Sequence, residues 1–287
     1  MSDTCMICGM TEPVHVSEVG RYPLYKCRGC GLEFLRPQPD GVNLARIYQD
    51  YYRSWNIAGS LAEVSSMKQR TFGGYLRRAA MYVSSGRLLD VGCATGDLMT
   101  VARDMGFDVF GVEIAPQGVA MCQARFGADR ISPKPLEKGD FPVNYFDIIT
   151  LSDLLEHIPE PRSFLETVTH LLKPGGVLMV VTPDTSTWIR SVSGAAWPHY
   201  KEEHLWYFNR SNIRKFLSTC LTPLAVARAD KSLTINYVRS VLMAYRGRHT
   251  TVSRLVRLAG IVPRRIAGHP FKVSCGEMFV LARKEGK

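Results

Sequence analysis

The run Arg87-Leu88-Leu89-Asp90-Val91-Gly92-Cys93-Ala94-Thr95-Gly96 constrains this chain more than any other stretch. Its apolar start reads as a short buried strand, ending on an acid and followed by a glycine-bounded loop and a helix from Asp97 to Met105. Gly92 lets the backbone approach a ligand, and Gly96 lets the helix begin close to the sheet. A dinucleotide fold would carry G-x-G-x-x-G here, with helix N–H groups on a pyrophosphate. The spacing is G-x-x-x-G instead, and Asp90 at the strand end would repel a phosphate and suits a cationic ligand. One strand and helix later, Val109-Phe110-Gly111-Val112-Glu113-Ile114 ends a second strand on a carboxylate. An acid at that offset can hold both hydroxyls of a ribose.

Strand and helix patterns alternate from there on. Gln117 to Phe126 reads as a helix, Phe146 to Leu151 as a buried strand, and Pro161 to Lys173 as a helix with proline in its first turn. Pro174-Gly175-Gly176 predicts a turn before a strand from Val177 to Thr182, and Ser211 is the expected N-cap of a helix through Thr219. Leu224 to Ala229 and Glu277 to Arg283 read as late strands, separated by a basic, helical stretch. This alternation predicts an open, mostly parallel sheet with helices on both faces, binding ligands at the C-terminal ends of its strands. The expected division is a ribbon at 1–40, a helical cap at 41–85 and a catalytic domain at 86–287, with a helical insertion near 235–270.

The ribbon rests on two matched knuckles, Cys5-Met6-Ile7-Cys8-Gly9 and Cys27-Arg28-Gly29-Cys30-Gly31. C-x-x-C spacing brings both thiolates of a pair to one tetrahedral ion, and the glycine after each pair allows the tight turn. Four sulfur ligands close the shell, so a zinc ion held by Cys5, Cys8, Cys27 and Cys30 is expected to be structural. Unligated or redox cysteines and an iron–sulfur cluster are the alternatives. The remaining cysteines, Cys93, Cys122, Cys220 and Cys275, stand singly and read as small buried hydrophobes.

There is no apolar run long enough for a transmembrane helix, and the N-terminus lacks the pattern of a signal peptide, so a cytoplasmic protein is expected. The net charge of +10 is unevenly placed: from Lys201 onward there are 17 Lys and Arg against 5 Asp and Glu. A basic face of that kind suits nucleic acid, anionic lipid or a phosphorylated substrate, or is simply a solvated surface.

Taken together, these segments resemble the class I S-adenosylmethionine-dependent methyltransferases of the small-molecule type. Leu88 to Gly96 is similar to the family's first motif. Phe146-Asp147-Ile148-Ile149-Thr150 with Leu154-Leu155-Glu156-His157-Ile158 is similar to its fourth-strand motif, and Leu172-Lys173-Pro174-Gly175-Gly176-Val177-Leu178 to the stretch before its fifth strand. The resemblance covers roughly residues 70–285 and implies a Rossmann-like seven-stranded sheet. It implies that Asp90, Gly92, Cys93 and Gly96 line the methionine part of S-adenosylmethionine and that Glu113 holds the ribose. Ile114 would pack on the adenine, and Leu151, Ser152 and Asp153 would lie beside the sulfonium. S-adenosylhomocysteine would be the product. Where many relatives carry an acid near the adenine amine, this chain reads Ile131-Ser132-Pro133-Lys134-Pro135-Leu136, which leaves that contact to backbone groups and Leu136.

A hydroxyl acceptor gains from a general base, most often histidine. Trp197 to Phe208 follows the fifth strand and is dense in polar and aromatic groups, and its Glu-His-Leu-x-Tyr-Phe pattern resembles a substrate-side motif of the family. His204 is the first candidate base, followed by His199 and His157, and Glu203 is placed to orient an imidazole. Tyr48, Tyr51 and Tyr52 could form a lid or pack on a helix. Ser253 to Ile266 mixes arginines with aliphatics and could meet an anionic lipid surface or snorkel from a packed helix. The leading expectation is methylation of a small-molecule oxygen, in a sugar, polyketide or related metabolite. An RNA base methyltransferase and a non-catalytic binding protein of the same fold are the alternatives.

Overall fold

The computed structural model describes residues 4–41, 61–244 and 267–286. Three short strands open the chain: β1 (Val14–Val19), β2 (Tyr22–Lys26) and β3 (Glu33–Leu35). They pair antiparallel, with Val14 opposite Lys26 and Leu24 opposite Leu35. The fourth strand of this small sheet comes from much later in the chain. β9 (Trp206–Tyr207) lies along β3, with Trp206 opposite Phe34 and Tyr207 opposite Glu33. The ribbon is thus stitched into the larger unit by main-chain hydrogen bonds.

The large sheet is built from β4 (Arg87–Val91), β5 (Asp108–Val112), β6 (Ile131–Ser132), β7 (Phe146–Ser152), β8 (Leu172–Pro183), β10 (Thr222–Leu233) and β11 (Phe271–Arg283). Its order is β6-β5-β4-β7-β8-β11-β10. The pairs from β6 to β8 are parallel, whereas β11 runs antiparallel to both its neighbours. The expected seven-stranded, mostly parallel Rossmann-like sheet is therefore present, with one reversed strand. The described helices are α1 (Leu61–Ala80), α2 (Asp97–Asp104), α3 (Pro116–Phe126), α4 (Pro161–Leu171), α5 (Trp188–Ser193), α6 (Arg210–Leu217) and α7 (Ile235–Ala244), with short 3-10 turns at Ala128–Arg130, Leu155–His157 and Gly194–Ala196.

Alternate strand residues feed two cores, one on each face. Leu89, Ile149, Leu178 and Val280 point to the face shared with Phe208, Phe216 and the ribbon residues Cys5, Cys27 and Leu32. Leu88, Ile148, Met179 and Phe279 point to the other, covered by Tyr75 and Leu76 of α1 and Met99 of α2. A third cluster joins Leu24 and Leu35 of the ribbon to Trp197 and Tyr207.

Three local expectations are corrected. Pro174-Gly175-Gly176 does not form a separate turn, because β8 runs through it from Leu172 and α4 stops at Leu171. Gly176 presses against the carbonyls of Phe146 and Asp147, where an added Cβ would sit 3.2 and 3.1 Å away, so the absent side chain allows an irregular strand to stay paired. β10 and β11 also extend well beyond the apolar runs at 224–229 and 277–283. Their outer arms pair Asp230 with Ser274 and Leu233 with Phe271, beyond the continuous apolar runs that mark the inner halves.

The cap of α6 is Asn209 rather than Ser211, since Arg210 is already helical. The Asn209 side chain accepts from the N–H groups of Ser211 and Asn212, and the Asn212 side chain accepts from the N–H of Asn209. Asn209 also donates to the carbonyl of Cys30 at 3.2 Å, tying the helix to the ribbon. Replacing Asn209 with alanine is expected to cost about 1–2 kcal/mol, read as a lower denaturant midpoint with an unchanged slope. Among the described residues, no helix is long and apolar enough to cross a membrane.

Candidate active site

The C-terminal ends of β4, β5 and β7 meet where the strand order reverses, the place where such sheets bind ligands. The loop after β4 carries three consecutive constraints: Gly92 at φ 76°, Ala94 at φ 48° and Gly96 at φ 74°. The N–H groups of Gly92 and Cys93 both donate to the carbonyl of Val112, at 2.8 and 3.0 Å, which pins the loop to β5. A Cβ at Gly92 would lie 3.2 Å from Leu154, and one at Gly96 2.6 Å from Phe126. Ala94 adopts a left-handed conformation that an L-residue rarely takes, held there by its N–H on Glu113 Oε2 at 2.8 Å. Cys93 points away from the loop surface, its thiol 3.7 Å from that of Cys122 in α3, so it can offer a ligand only main-chain atoms.

Glu113 is buried just past β5 and held from both sides, Oε1 accepting from Ala115 N at 2.7 Å and Oε2 from Ala94 N. A carboxylate has about four lone-pair sites, so both oxygens keep capacity for hydroxyl donors. The next residue, Ile114, is 57% exposed, an apolar side chain standing in solvent beside a fixed carboxylate. Leu136 is half-buried nearby in sequence to β6 and packs at the margin of the first core.

Asp90 is buried, and the Thr150 hydroxyl donates to it at 2.6 Å. Burial nevertheless pushes its carboxyl up to about 7. Asp97 is also buried and gathers the hydroxyls of Thr95 and Ser65, which fastens α1 over the loop. A cavity of about 200 Å³ remains there, lined by Ser65, Lys68, Thr95, Asp97, Met121 and Arg125.

At the end of β7, the Leu151 side chain is sealed in the core and offers only backbone to a ligand, whereas Ser152 is partly open. Asp153 is left-handed at φ 53° and about half exposed, with Oδ2 3.8 Å from Lys231 Nζ. Lys231 also pairs with Glu277 Oε1 at 2.6 Å. Burial opposes the lysine charge, but these two carboxylates outweigh it and hold Lys231 protonated well above the ordinary lysine range.

The three histidines separate into a pair and an outlier. His157 and His204 stand edge to face, with ring centroids 4.6 Å apart. His157 Nδ1 donates to the carbonyl of Glu203 at 3.0 Å, so the main chain of Glu203, not its carboxylate, orients an imidazole. His204 is buried and its Nδ1 has no hydrogen-bond partner. Burial lowers His157 to about 4 and takes His204 well below the usual histidine range, so both rings are neutral. His199 points to β11, its ring 2.7 Å from the carbonyl of Cys275 and bonded through Nε2.

The four N-terminal cysteines converge on one another. Cys5 and Cys30 sulfurs lie 3.6 Å apart and Cys8 and Cys27 sulfurs 3.4 Å apart, with all four within 4.8 Å of one another. A tetrahedral ion with sulfur ligands at about 2.3 Å requires S–S edges of about 3.8 Å. The knuckles are near copies: Gly9 N bonds Cys5 O and Gly31 N bonds Cys27 O, both at 2.9 Å, with both glycines at φ 71°.

Glu156, Lys231 and Glu277 were given no role by the sequence reading. Glu277 had a signal, a carboxylate entering an otherwise apolar strand. Glu156 sits inside the quoted Leu-Glu-His motif, but only the fold shows that it is buried. Tyr48, Tyr51 and Tyr52, and the basic segment 253–266, lie outside the described residues.

A family model described as a methyltransferase domain matches residues 65–219. The chain is similar to the ubiquinone biosynthesis O-methyltransferase of Pectobacterium atrosepticum, at 24% identity over 166 residues, covering 55% of this chain and 68% of the relative. It is similar to the protein of that name from Actinobacillus pleuropneumoniae, at 32% identity over 137 residues, covering 45% and 58% respectively. Among solved structures, it resembles the Burkholderia thailandensis 1,6-didemethyltoxoflavin-N1-methyltransferase with bound 1,6-didemethyltoxoflavin and S-adenosylhomocysteine. The TM-score is 0.54 at 15% identity, covering 96% of this chain and 100% of that one.

Proposed function

Because the chain belongs to the methyltransferase-domain family, and is an S-adenosylmethionine-dependent methyltransferase, we propose that it methylates a hydroxyl oxygen of a small molecule such as a sugar or polyketide. The oxygen assignment is supported by the O-methyltransferases it resembles. The observation that carries the cofactor assignment is the buried Glu113 carboxylate, fixed by two main-chain N–H groups beside the exposed Ile114 and the left-handed loop. Such a carboxylate fits a ribose, and the bare isoleucine fits a base plane. Gly92 and Gly96 leave room for the methionine portion, and Asp90 supplies negative charge beneath it.

When bound, the sulfonium supplies an electrophilic methyl group for in-line displacement. The protein's part is positioning. Ser152 and Asp153 face the reacting end, and Lys231 sets the direction of the Asp153 carboxylate. The His157–His204 pair is assigned here to receive the hydroxyl proton on a neutral ring nitrogen. The burial that keeps both rings neutral also makes either one a weak base alone. At the ribbon, Cys5, Cys8, Cys27 and Cys30 would hold a structural zinc ion, its shell closed by four thiolates.

Calorimetry with S-adenosylhomocysteine, followed by a screen of hydroxylated acceptors for a one-methylene mass gain, tests this reading. Stoichiometric product binding and a methylated small molecule are expected. Methyl transfer to RNA with steep salt dependence would move the assignment to nucleic acid, and failure to bind the product would remove the enzymatic reading.

Asp90 adds a pH signature. Its ionised form attracts the cationic cofactor, and its carboxyl titrates at about 7 in the free protein. Affinity is therefore expected to rise with pH up to that point, approaching about tenfold per pH unit on the acid side, and then to level off. Asp90→Asn should flatten the curve, and an identical pH profile in the variant would sever Asp90 from cofactor binding.

A further inference from the structure

We propose that Glu156, His157 and His204 form a second metal site, one that holds a divalent first-row transition ion next to the reacting centre. Their donor atoms lie within 4.8 Å of one another, brought together from two places in the chain. Glu156 and His157 sit in a single turn after β7, and His204 sits in the loop before β9. The Leu205 N–H donates to the Glu156 carbonyl at 2.8 Å, and the Trp206 indole donates to the Ile158 carbonyl at 2.9 Å. These two bonds fix the spacing between the segments.

Two atoms in the cluster lack any hydrogen-bond partner although buried: Glu156 Oε1 and His204 Nδ1. Glu156 is fully buried and His204 is 4% exposed. Leaving a buried polar atom unpaired costs about 1–3 kcal/mol, so two orphans within one cluster of potential ligands ask for a partner. The outer contacts are those of ligands already oriented. The Thr182 hydroxyl donates to Glu156 Oε2 at 2.9 Å. His157 gives its Nδ1 proton to the carbonyl of Glu203, which makes Nε2 the lone-pair nitrogen. Metal-bound imidazoles characteristically donate their other N–H to such a group. Two imidazoles and one carboxylate suit a first-row ion and leave coordination positions open.

The role of the site in catalysis rests on the methyl-transfer reading; the site itself does not. An acceptor hydroxyl ligated to the ion would lose its proton to water at neutral pH. Its oxygen would then form the new O–CH3 bond as the S–CH3 bond breaks and the electron pair returns to sulfur. This assigns the imidazole pair to metal binding and removes the need for a weak buried base.

Manganese(II) is a direct probe, because it is paramagnetic and, as a hard ion, favours a site with a carboxylate over the thiolates of the ribbon. Full-length protein with its ribbon metal in place would be titrated with Mn2+ and followed by loss of the free-ion paramagnetic resonance signal. One Mn2+ per chain is expected. Glu156→Gln and His157→Asn should each weaken binding by at least about 100-fold, while S-adenosylhomocysteine binding by calorimetry shows that the variants remain folded. Product binding with no Mn2+ uptake at millimolar concentration would overturn the metal site and leave the methyltransferase reading standing. Uptake that survives both substitutions would overturn it as well. Mn2+ uptake without product binding would support the site and count against the function.

Discussion

Cys27→Ser is expected to strip the ribbon of its metal and release residues 4–36 from the rest of the chain. Cys27 is buried, its sulfur lies 3.4 Å from that of Cys8, and it packs against the first core with Leu32. The ribbon sheet has short strands and little apolar area of its own, so the ion must supply much of its folding energy. Structural zinc is worth about 10–16 kcal/mol in isolated finger peptides, comparable to the whole stability of about 5–15 kcal/mol of an ordinary domain. Loss of the ion also removes the partner of β9, the two-residue strand that follows His204. Metal analysis should show the variant holding one equivalent of zinc fewer than wild type, and limited proteolysis should cut first within 4–36. The large sheet has its own second core around Leu88, Met179 and Phe279, so it should stay folded. A variant with full zinc and unchanged protease resistance would refute the structural-zinc assignment.

That dependence of β9 on the ribbon marks the boundary of what could be read from the chain. The large sheet was legible because its central strands are apolar runs punctuated by glycine, and each helix carries a periodic face or an N-terminal proline. The cysteine spacing likewise announced four converging sulfurs. The ribbon strands were not legible, since Val14–Val19 and Tyr22–Lys26 alternate weakly and gain their partners only through the knuckle geometry. Nor was the pairing of Glu33 with Tyr207, a contact between segments more than 170 residues apart. At the site, Asp90 stood out as the acid near the end of an apolar strand, and Gly92, Gly96 and Glu113 as residues just past a strand. The grouping of Glu156 with His204 depends on how a loop folds back over the sheet, and local sequence carries no trace of that. Leu151, expected beside the sulfonium, has its side chain in the core and offers only main-chain atoms there.

Glu113→Ala is expected to be the most damaging change to cofactor affinity, on the proposed assignment of this residue to the ribose. Hydrogen bonds to a charged group contribute about 1.5–3 kcal/mol each. Losing a bidentate pair therefore weakens binding by about 100- to 10,000-fold, at 1.4 kcal/mol per tenfold step. A second loss compounds the first. Glu113 also receives the N–H groups of Ala94 and Ala115, and the bond to Ala94 holds a left-handed alanine in place. Without it, the loop between Gly92 and Gly96 can relax away from its binding shape. Glu113→Gln separates the two effects. Its amide oxygen can keep one of the main-chain donors, but its NH2 must face the other, so the loop is partly supported and the affinity should fall between wild type and alanine. Calorimetry with S-adenosylhomocysteine on all three proteins, with thermal denaturation of each in the absence of ligand, reads both quantities. The predicted order is wild type, then glutamine, then alanine. Unchanged affinity in the alanine variant would remove Glu113 from the cofactor site and leave the loop, with its three left-handed residues, as the place to look for the contact that replaces it.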